Sequence, residues 1–532
     1  MKSSRPLLLQ PVFALLLLFF LLSLTLVYAL LSNTPAAAVG FDERVYASQS
    51  EADAVGQNCR YGVAAWSNND LPFLQQLKPG WVGNFTVNFN QPLPAGVEYV
   101  PTIRLQQARD AAGHRLPDYV ATPPLTDNPG GLGARVTANP GKLWLVGNEV
   151  DRIFWQDDIM PDIYAKAYHE IYHFIKARDA TAQVAISGLV EVTPGRLQYL
   201  DIVWDSYVKR YGKPMTVDVW NMHVYILPEK RQDGTGSNAA IALGTDPALA
   251  ILESGNNPAL CPQANVYCYA EHDNMAIFAE QVVAMRQWMK NHGQQNKPLI
   301  LSEYSMLYPF TDYDDPVNPT TCFLMDEYGG CFTPQRVSHF MINSFNYLET
   351  AADPNLGYPL DNNRLVQQWL WFAMNDGSEG TPNKLVNDTY TALTLMGQTY
   401  RDQVAARPLT LNLRPGRVTH PVVNGTTSAT ISASVRNNGN SPTAVPFVVT
   451  FYSNSALTNA IGSVTVPAGL GGCARREYTA AVTWNGLTSG LNRYWVKIDR
   501  DNSIGESNEG DNVTSGFVLV NPQQVYLPVI RR

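Results

Sequence analysis

Two stretches decide how this chain is read: Leu143-Trp-Leu-Val-Gly-Asn-Glu149 and Lys297-Pro-Leu-Ile-Leu-Ser-Glu303. Each is a short apolar run that stops at a carboxylate, and a helical pattern follows each. Runs of this length and composition read as buried strands. In the first, period-two alternation puts Leu145, Gly147 and Glu149 on one face. Asn148 is the neighbour with hydrogen-bonding capacity. Carboxylates at the ends of buried strands can act as acid, base or nucleophile, provided the fold brings them together.

Working outward, the segment from Asn58 to Ala406 alternates strand and helix. The candidate strands are 61–66, 81–87, 98–105, 143–149, 183–189, 217–225, 298–303 and 367–374. Helical patterns fall at 71–77, 161–179, 197–211, 275–292, 334–352 and 388–406. The connection between the third and fourth strands is rich in Pro and Gly, and its helix is poorly marked. Short apolar strands separated by helices imply a parallel sheet covered by helices. Eight such units over about 350 residues imply an α/β fold of the closed (β/α)8 type. In such a ring the fourth and seventh strands face each other across the mouth, so Glu149 and Glu303 would meet there.

Two long insertions, from Leu227 to about Asn274 and from Tyr304 to about Thr333, follow candidate strands. They would therefore wall the C-terminal face of the ring, where such folds place their sites. Each carries a cysteine pair, Cys261 with Cys268 and Cys322 with Cys331, for which local disulfides are the simple reading. Cys59 and Cys473 are left over and fall in different domains. Six cysteines suit an oxidising, exported setting. Composition changes after Ala406: from Pro408 to Val520 strands alternate with turn signals and no helix is evident. That pattern reads as an immunoglobulin-like β-sandwich. The expected organisation is a leader at 1–38, the α/β domain at 39–406, the all-β sandwich at 407–520 and a tail at 521–532.

Asn-Glu at the end of the fourth strand with a second Glu at the end of the seventh resembles clan A glycoside hydrolases, over the whole of 61–406. The resemblance implies a retaining mechanism, with Glu149 as acid/base, protonated at rest, and Glu303 as ionised nucleophile. It also implies that His223 and Tyr225, on the strand ending Asn221-Met-His-Val-Tyr225, contact the nucleophile and the adjacent sugar. Trp371 would floor the sugar ring, and Asn148, Asn84 and Arg104 would bind hydroxyls. The chain departs from the clan at Val150, where many members have proline, and in lacking an arginine on the second strand. The run Trp81-Val-Gly-Asn-Phe with Val100-Pro-Thr-Ile-Arg104 is distantly similar to fungal alkali-sensitive-linkage β-1,3-glucanases. In the C-terminal segment, Val435-Arg-Asn-Asn-Gly-Asn440, Phe447–Tyr452 and Glu506-Ser-Asn-Glu-Gly-Asp-Asn512 resemble the CARDB domain, an accessory module.

The bulk numbers agree with this reading. A net charge of −8, with no basic run, argues against a nucleic-acid partner. With 26 Tyr and 11 Trp, the chain has ample material for stacking on sugars, although most such rings serve a core. The chemistry calls for neither a metal nor an organic cofactor; the expected partner is a glycan, β-linked, as polysaccharide or oligosaccharide. Lys2 and Arg5 precede an apolar run from Leu7 to Leu31, and Ala36-Ala37-Ala38 offers a signal-peptidase site. Secretion is the expectation. The run is also long enough for an uncleaved anchor holding the protein at a membrane or cell surface. The competing class is a non-catalytic carbohydrate-binding or adhesive surface protein, which would not need both carboxylates. His169-Glu-Ile-Tyr-His173 matches the zinc-peptidase pattern H-E-x-x-H. Helical projection, however, sets Ile163, Ala167, Ile171, Phe174 and Ile175 on the apolar face and both histidines towards solvent, so that reading is set aside.

Overall fold

The computed structural model describes residues 57–522, apart from 89–91, 155, 255–265, 268–271, 308–325, 327–328 and 379. The leader, the tail beyond Pro522, Cys261, Cys268 and Cys322 therefore lie outside the described residues. Among the described residues, no helix is long and apolar enough to cross a membrane.

The α/β part is built on parallel strands β1 (Asn58–Ala64), β2 (Pro79–Gly83), β3 (Glu98–Tyr99), β4 (Thr102–Arg109), β6 (Leu143–Val146), β7 (Gln183–Ile186), β8 (Trp220–Val224), β11 (Leu299–Tyr304) and β12 (Gln368–Trp371). Their pairing runs β3-β2-β1-β12-β11-β8 in one sheet and β4-β6-β7 in another. Two links join the sheets into a ring. At one seam, β3 continues through Val100-Pro101 into β4, with the Thr102 N–H donating to Thr86 O at 2.8 Å. At the other, Ala185 of β7 bridges to Val219 beside β8.

Alternation along these strands produces two apolar layers. Ala64, Trp81, Leu143, Leu145, Ile300 and Leu370 form one cluster, which fills the ring. Trp144, Val146, Met222, Leu301, Trp369 and Trp371 belong to the other, packed beneath the helices. The expected strands and helices are present with shifted ends, except that the strand expected at 98–105 is divided between β3 and β4, and the last helix starts at Leu395 and not at Asp388. The largest difference lies between the third and fourth strands. There β4 turns back into an antiparallel partner, β5 (Arg115–Thr122), before a short helix, Leu132–Ala138. Pro117 and Pro123 had obscured that outer hairpin, because proline weakens a strand pattern. Part of the Leu227–Asn274 insertion forms a two-stranded sheet of β9 (Leu252–Glu253) and β10 (Val266–Tyr267).

The C-terminal part is a sandwich of two sheets. One contains β13 (Leu413–Val418), β15 (Ser428–Asn437) and β18 (Tyr478–Asn485). The other contains β14 (Val422–Val423), β16 (Phe447–Tyr452), β17 (Ala460–Val466), β19 (Gly490–Lys497) and β20 (Val513–Val520). It has its own core around Ile431, Val449, Phe451, Tyr494 and Val518.

The two cysteines with no obvious local partner join each other. Cys59 and Cys473 form a disulfide across 414 residues of sequence. Cys331 is also disulfide-bonded. Around the Cys59–Cys473 bridge, Glu98 pairs with Arg475 and Arg476 of the sandwich, and Gln183 Nε2 donates to Arg475 O at 2.8 Å. Burial raises the Glu98 carboxyl, but the charges of Arg475, Arg476 and Lys142 outweigh it and hold it down at about 2. Cys59, Glu98 and Gln183 each stand at the start of a ring strand. The sandwich thus grips the N-terminal end of the ring and leaves the opposite mouth clear. Replacing both Cys59 and Cys473 by serine is expected to cost about 2–5 kcal/mol, read as a lower melting temperature. An unchanged melting temperature would show that the Glu98 ion pairs hold the junction alone.

Candidate active site

Glu149 reaches the mouth of the ring by a turn, not by a straight strand. Strand β6 ends at Val146, and the next residues carry φ of 91° at Gly147 and 45° at Glu149. A Cβ at Gly147 would come within 2.6 Å of Val150 Cγ1, so that position requires glycine. The Glu149 N–H donates to Gly188 O at 3.0 Å, which ties the turn to the segment after β7. A left-handed backbone at a non-glycine residue costs of the order of 1–3 kcal/mol and is characteristic of functional turns.

Glu303 arrives by a different device. Leu301 is opposite Met222, but Glu303 is opposite His223, so one extra residue is inserted in β11. Simple alternation would turn Ser302 inward and Glu303 outward. The bulge turns both inward and restores Tyr304 to the outer layer.

Between the two carboxylates stand the residues of β8. His223 Nδ1 lies 3.3 Å from Glu149 Oε1 and 3.8 Å from Glu303 Oε2, and its Nε2 lies 3.1 Å from Ser302 Oγ. Tyr225 Oη donates to Glu303 Oε1 at 2.8 Å. Ligand atoms of Glu149, His223 and Glu303 all lie within 4.8 Å of one another, and all three residues are buried. Among the described residues, this is also the only group close enough to hold a metal ion. Gly188 makes room for the imidazole: a Cβ there would lie 2.2 Å from His223 Cδ2.

The other expected site residues divide. Asn148 and Arg104 stand beside Glu149 and share partners. The Asn148 N–H donates to Asp157 Oδ2 at 2.8 Å, and Arg104 Nε pairs with Asp157 Oδ1 at 2.6 Å. Both side chains also donate to Gln156 Oε1, at 3.2 Å and 2.9 Å. Asn84 is committed to its own loop, accepting from Tyr99 Oη at 2.6 Å and donating to Asn88 O at 2.6 Å. Its polar atoms are therefore spent on loop structure. Trp371 does not floor the site. It is fully buried on the outer layer, stacked edge-on to Tyr304 and Phe345, and its indole N–H donates to Asn383 O at 2.8 Å. The ring turned to the mouth is the next one, Phe372, packed on the cluster that fills the strand ring.

Arg152 was not picked out from the sequence. Its Nη1 lies 3.1 Å from Glu149 Oε2, and its Nε and Nη2 donate to Asn238 O at 3.1 Å and 2.7 Å. The loop carrying Asn238 is bolted down by a second arginine. The buried Arg196 pairs with Asp151 and Glu229 and donates to Ala239 O and Ala240 O.

These charges set the protonation of the pair. Burial raises Glu149, but the His223 hydrogen bond and the Arg152 charge outweigh it and hold the carboxyl below the usual carboxylate range. Burial also raises Glu303. His223 opposes this and Glu149 adds to it, so the carboxyl lies above the usual carboxylate range. His223 is raised: burial works against its charged form, but Glu303 and Glu149 favour it more strongly. His223 and Arg152 thus favour the ionised form of Glu149, while burial and the Glu149 charge favour the protonated form of Glu303, the opposite polarity to the one the resemblance implies.

The H-E-x-x-H helix, Pro161–Lys176, buries Ile163, Ala167, Ile171 and Ile175. His173 is exposed, as projection suggests, but His169 is partly packed. His169 stacks on Tyr211 at 3.6 Å, and its Nδ1 lies 2.8 Å from Tyr207 Oη, on the next helix. Among the described residues, no third ligand joins them.

A family model for the CARDB domain matches residues 412–516. No curated protein matches the chain in sequence. Among solved structures, it is similar to a GH128 subgroup III curdlan-specific exo-β-1,3-glucanase from Blastomyces gilchristii. That match has 15% identity and a TM-score of 0.36, and covers 64% of this chain and 97% of the other. A GH128 subgroup VII oligosaccharide-binding protein from Trichoderma gamsii matches at 13% identity and a TM-score of 0.35, covering 66% and 96%. A CARDB domain from Pyrococcus furiosus matches at 24% identity and a TM-score of 0.19, covering 22% and 97%.

Proposed function

We propose that this protein is an exported, retaining glycoside hydrolase, built as a (β/α)8 barrel with an immunoglobulin-like accessory domain, that cleaves β-linked glycans by double displacement. The observation that carries the reading is the carboxylate pair: oxygens of Glu149 and Glu303 within 4.8 Å, with His223 between them. Retaining enzymes hold their carboxyl groups about 5–5.5 Å apart, whereas inverting enzymes need about 6.5–9.5 Å to admit a water.

In the first step a Glu303 oxygen attacks the anomeric carbon and the glycosidic C–O bond breaks. Glu149 gives its proton to the departing oxygen, leaving a glycosyl ester on Glu303. In the second step Glu149 takes a proton from water, whose oxygen displaces Glu303 and restores both groups. Tyr225 holds Glu303 Oε1 in line. Glu149 must hold the proton and Glu303 the charge before the first step, so substrate entry must pass the proton from Glu303 to Glu149 against the pull of His223 and Arg152. The chemistry needs no metal. Export is supported by the apolar leader, the disulfides and the CARDB-type domain.

The test is hydrolysis of a panel of β-1,3-glucan, mannan, galactan and xylan, with the first-formed anomer read by proton NMR. Release of a product that keeps the anomeric configuration is expected from one member. An inverted first product overturns the mechanism. Binding without cleavage would instead favour a non-catalytic, adhesive role.

A further inference from the structure

Three aromatic rings sit together beyond the carboxylate pair. Trp66 follows the end of β1, Phe85 the end of β2 and Phe372 the end of β12. Their centroids are 5.5 Å apart for Trp66 and Phe372, 6.1 Å for Trp66 and Phe85, and 5.9 Å for Phe85 and Phe372. The Phe372 N–H donates to Tyr304 O at 3.1 Å, so the group starts level with Glu303. From β11 the ring runs one way through β8 towards Glu149, and the other way through β12, β1 and β2. In the closed ring the aromatic group therefore occupies the second arc between Glu303 and Glu149, next to Glu303 and across the mouth from His223 on β8.

Ordinary core packing does not account for it. Trp66 remains 40% exposed, whereas Trp81, Trp144, Trp220, Trp369 and Trp371 are all buried. The backbone that carries the exposed indole is also held in place. The Trp66 and Ser67 N–H groups both donate to Asp70 Oδ2, at 2.9 Å and 2.8 Å, within a capping box. Phe85 adopts φ of 57°, a left-handed backbone that a bulky residue avoids without cause. Fixed aromatic faces bind at low entropic cost, because little freedom is left to lose. The apolar C–H face of a pyranose is the ligand surface that such a face suits, and its rim hydroxyls remain free for solvent.

Resting on the glycosidase reading, we propose that Trp66, Phe85 and Phe372 form a sugar-stacking subsite for the units next to the cleaved one, which makes this an enzyme for oligomeric rather than single-sugar substrates.

The test compares each of four β-linked hexaoses (laminari-, manno-, galacto- and xylo-) with the matching 4-nitrophenyl β-monosaccharide. Trp66→Ala is expected to lower the preference in kcat/KM for the hexaose over the aryl glycoside at least about tenfold, equivalent to about 1.4 kcal/mol. Trp66→Phe should restore most of it. An equal loss on both substrates means a structural plug and overturns the proposal, as does an unchanged preference. If the wild type cleaves nothing, the glycosidase reading fails separately. Titration calorimetry of the same hexaoses against wild type and Trp66→Ala then decides the subsite. Weaker binding by the variant supports it; equal binding, or none to any hexaose, overturns it.

Discussion

Glu303→Ala is expected to abolish hydrolysis, with a loss of about 10⁴-fold or more, and azide is expected to restore turnover with inverted product. The structure gives both halves of that outcome. Glu303 is nearly enclosed, 8% exposed, and its Oε1 is the acceptor for Tyr225 Oη. Removing the carboxyl leaves a small polar vacancy directly opposite Glu149, lined by His223 and Tyr225. No other carboxylate among those nearby can swing in: Asp151 is tied to Arg196, and Asp157 is tied to Arg104 and two backbone N–H groups. A small anion can enter the vacancy and attack the anomeric carbon from the same side. Only one displacement then occurs, and the product is inverted. Loss without rescue would make Glu303 something other than the nucleophile. Retained activity would remove the whole reading of the site.

The features that were legible in the sequence are those carried by regular alternation. Strand β8 keeps its period without interruption, so Asn221, His223 and Tyr225 could be placed on one face, and they do share one. Trp369 and Trp371 obey the same rule on β12, yet there it was applied to the wrong face. Leu370 points into the ring, and Phe372 follows it two residues later. Irregular backbone was not legible. The bulge at Ser302 leaves no mark in composition, and period two alone would have turned Glu303 outward. The turn at Gly147 and Glu149 brings Arg152 onto the carboxylate three residues earlier, a contact that strand geometry does not suggest. Arg104 could be picked out as a polar residue near a strand end, but its bond to Asp157 depends on how the 149–158 loop closes. The Cys59–Cys473 bridge joins segments 414 residues apart, and no local signal links them. The H-E-x-x-H pattern shows the reverse error: a strong local motif in which His169 serves helix packing against Tyr207 and Tyr211 and His173 is exposed.

Glu149→Ala is expected to slow cleavage of natural glycans by about 10²–10⁴-fold, while largely sparing formation of the glycosyl ester from aryl glycosides with good leaving groups. A stable phenolate can depart without a proton; a sugar alkoxide cannot. Burst kinetics with a dinitrophenyl glycoside would separate the two steps. Unimpaired turnover of a natural glycan would remove Glu149 from the acid/base role. Arg152 adds a second readout. A general acid works only while protonated, so activity falls as pH rises through its pKa. The guanidinium 3.1 Å from Glu149 Oε2 favours the ionised carboxylate and thus pulls that alkaline limb to lower pH. Arg152→Met removes the charge but keeps much of the bulk, and the limb should move to higher pH. In Glu149→Ala the same limb should disappear, and Arg152→Met in that background should shift nothing. A limb that survives in Glu149→Ala and still answers to Arg152 would assign the proton to another group, with His223 the nearest.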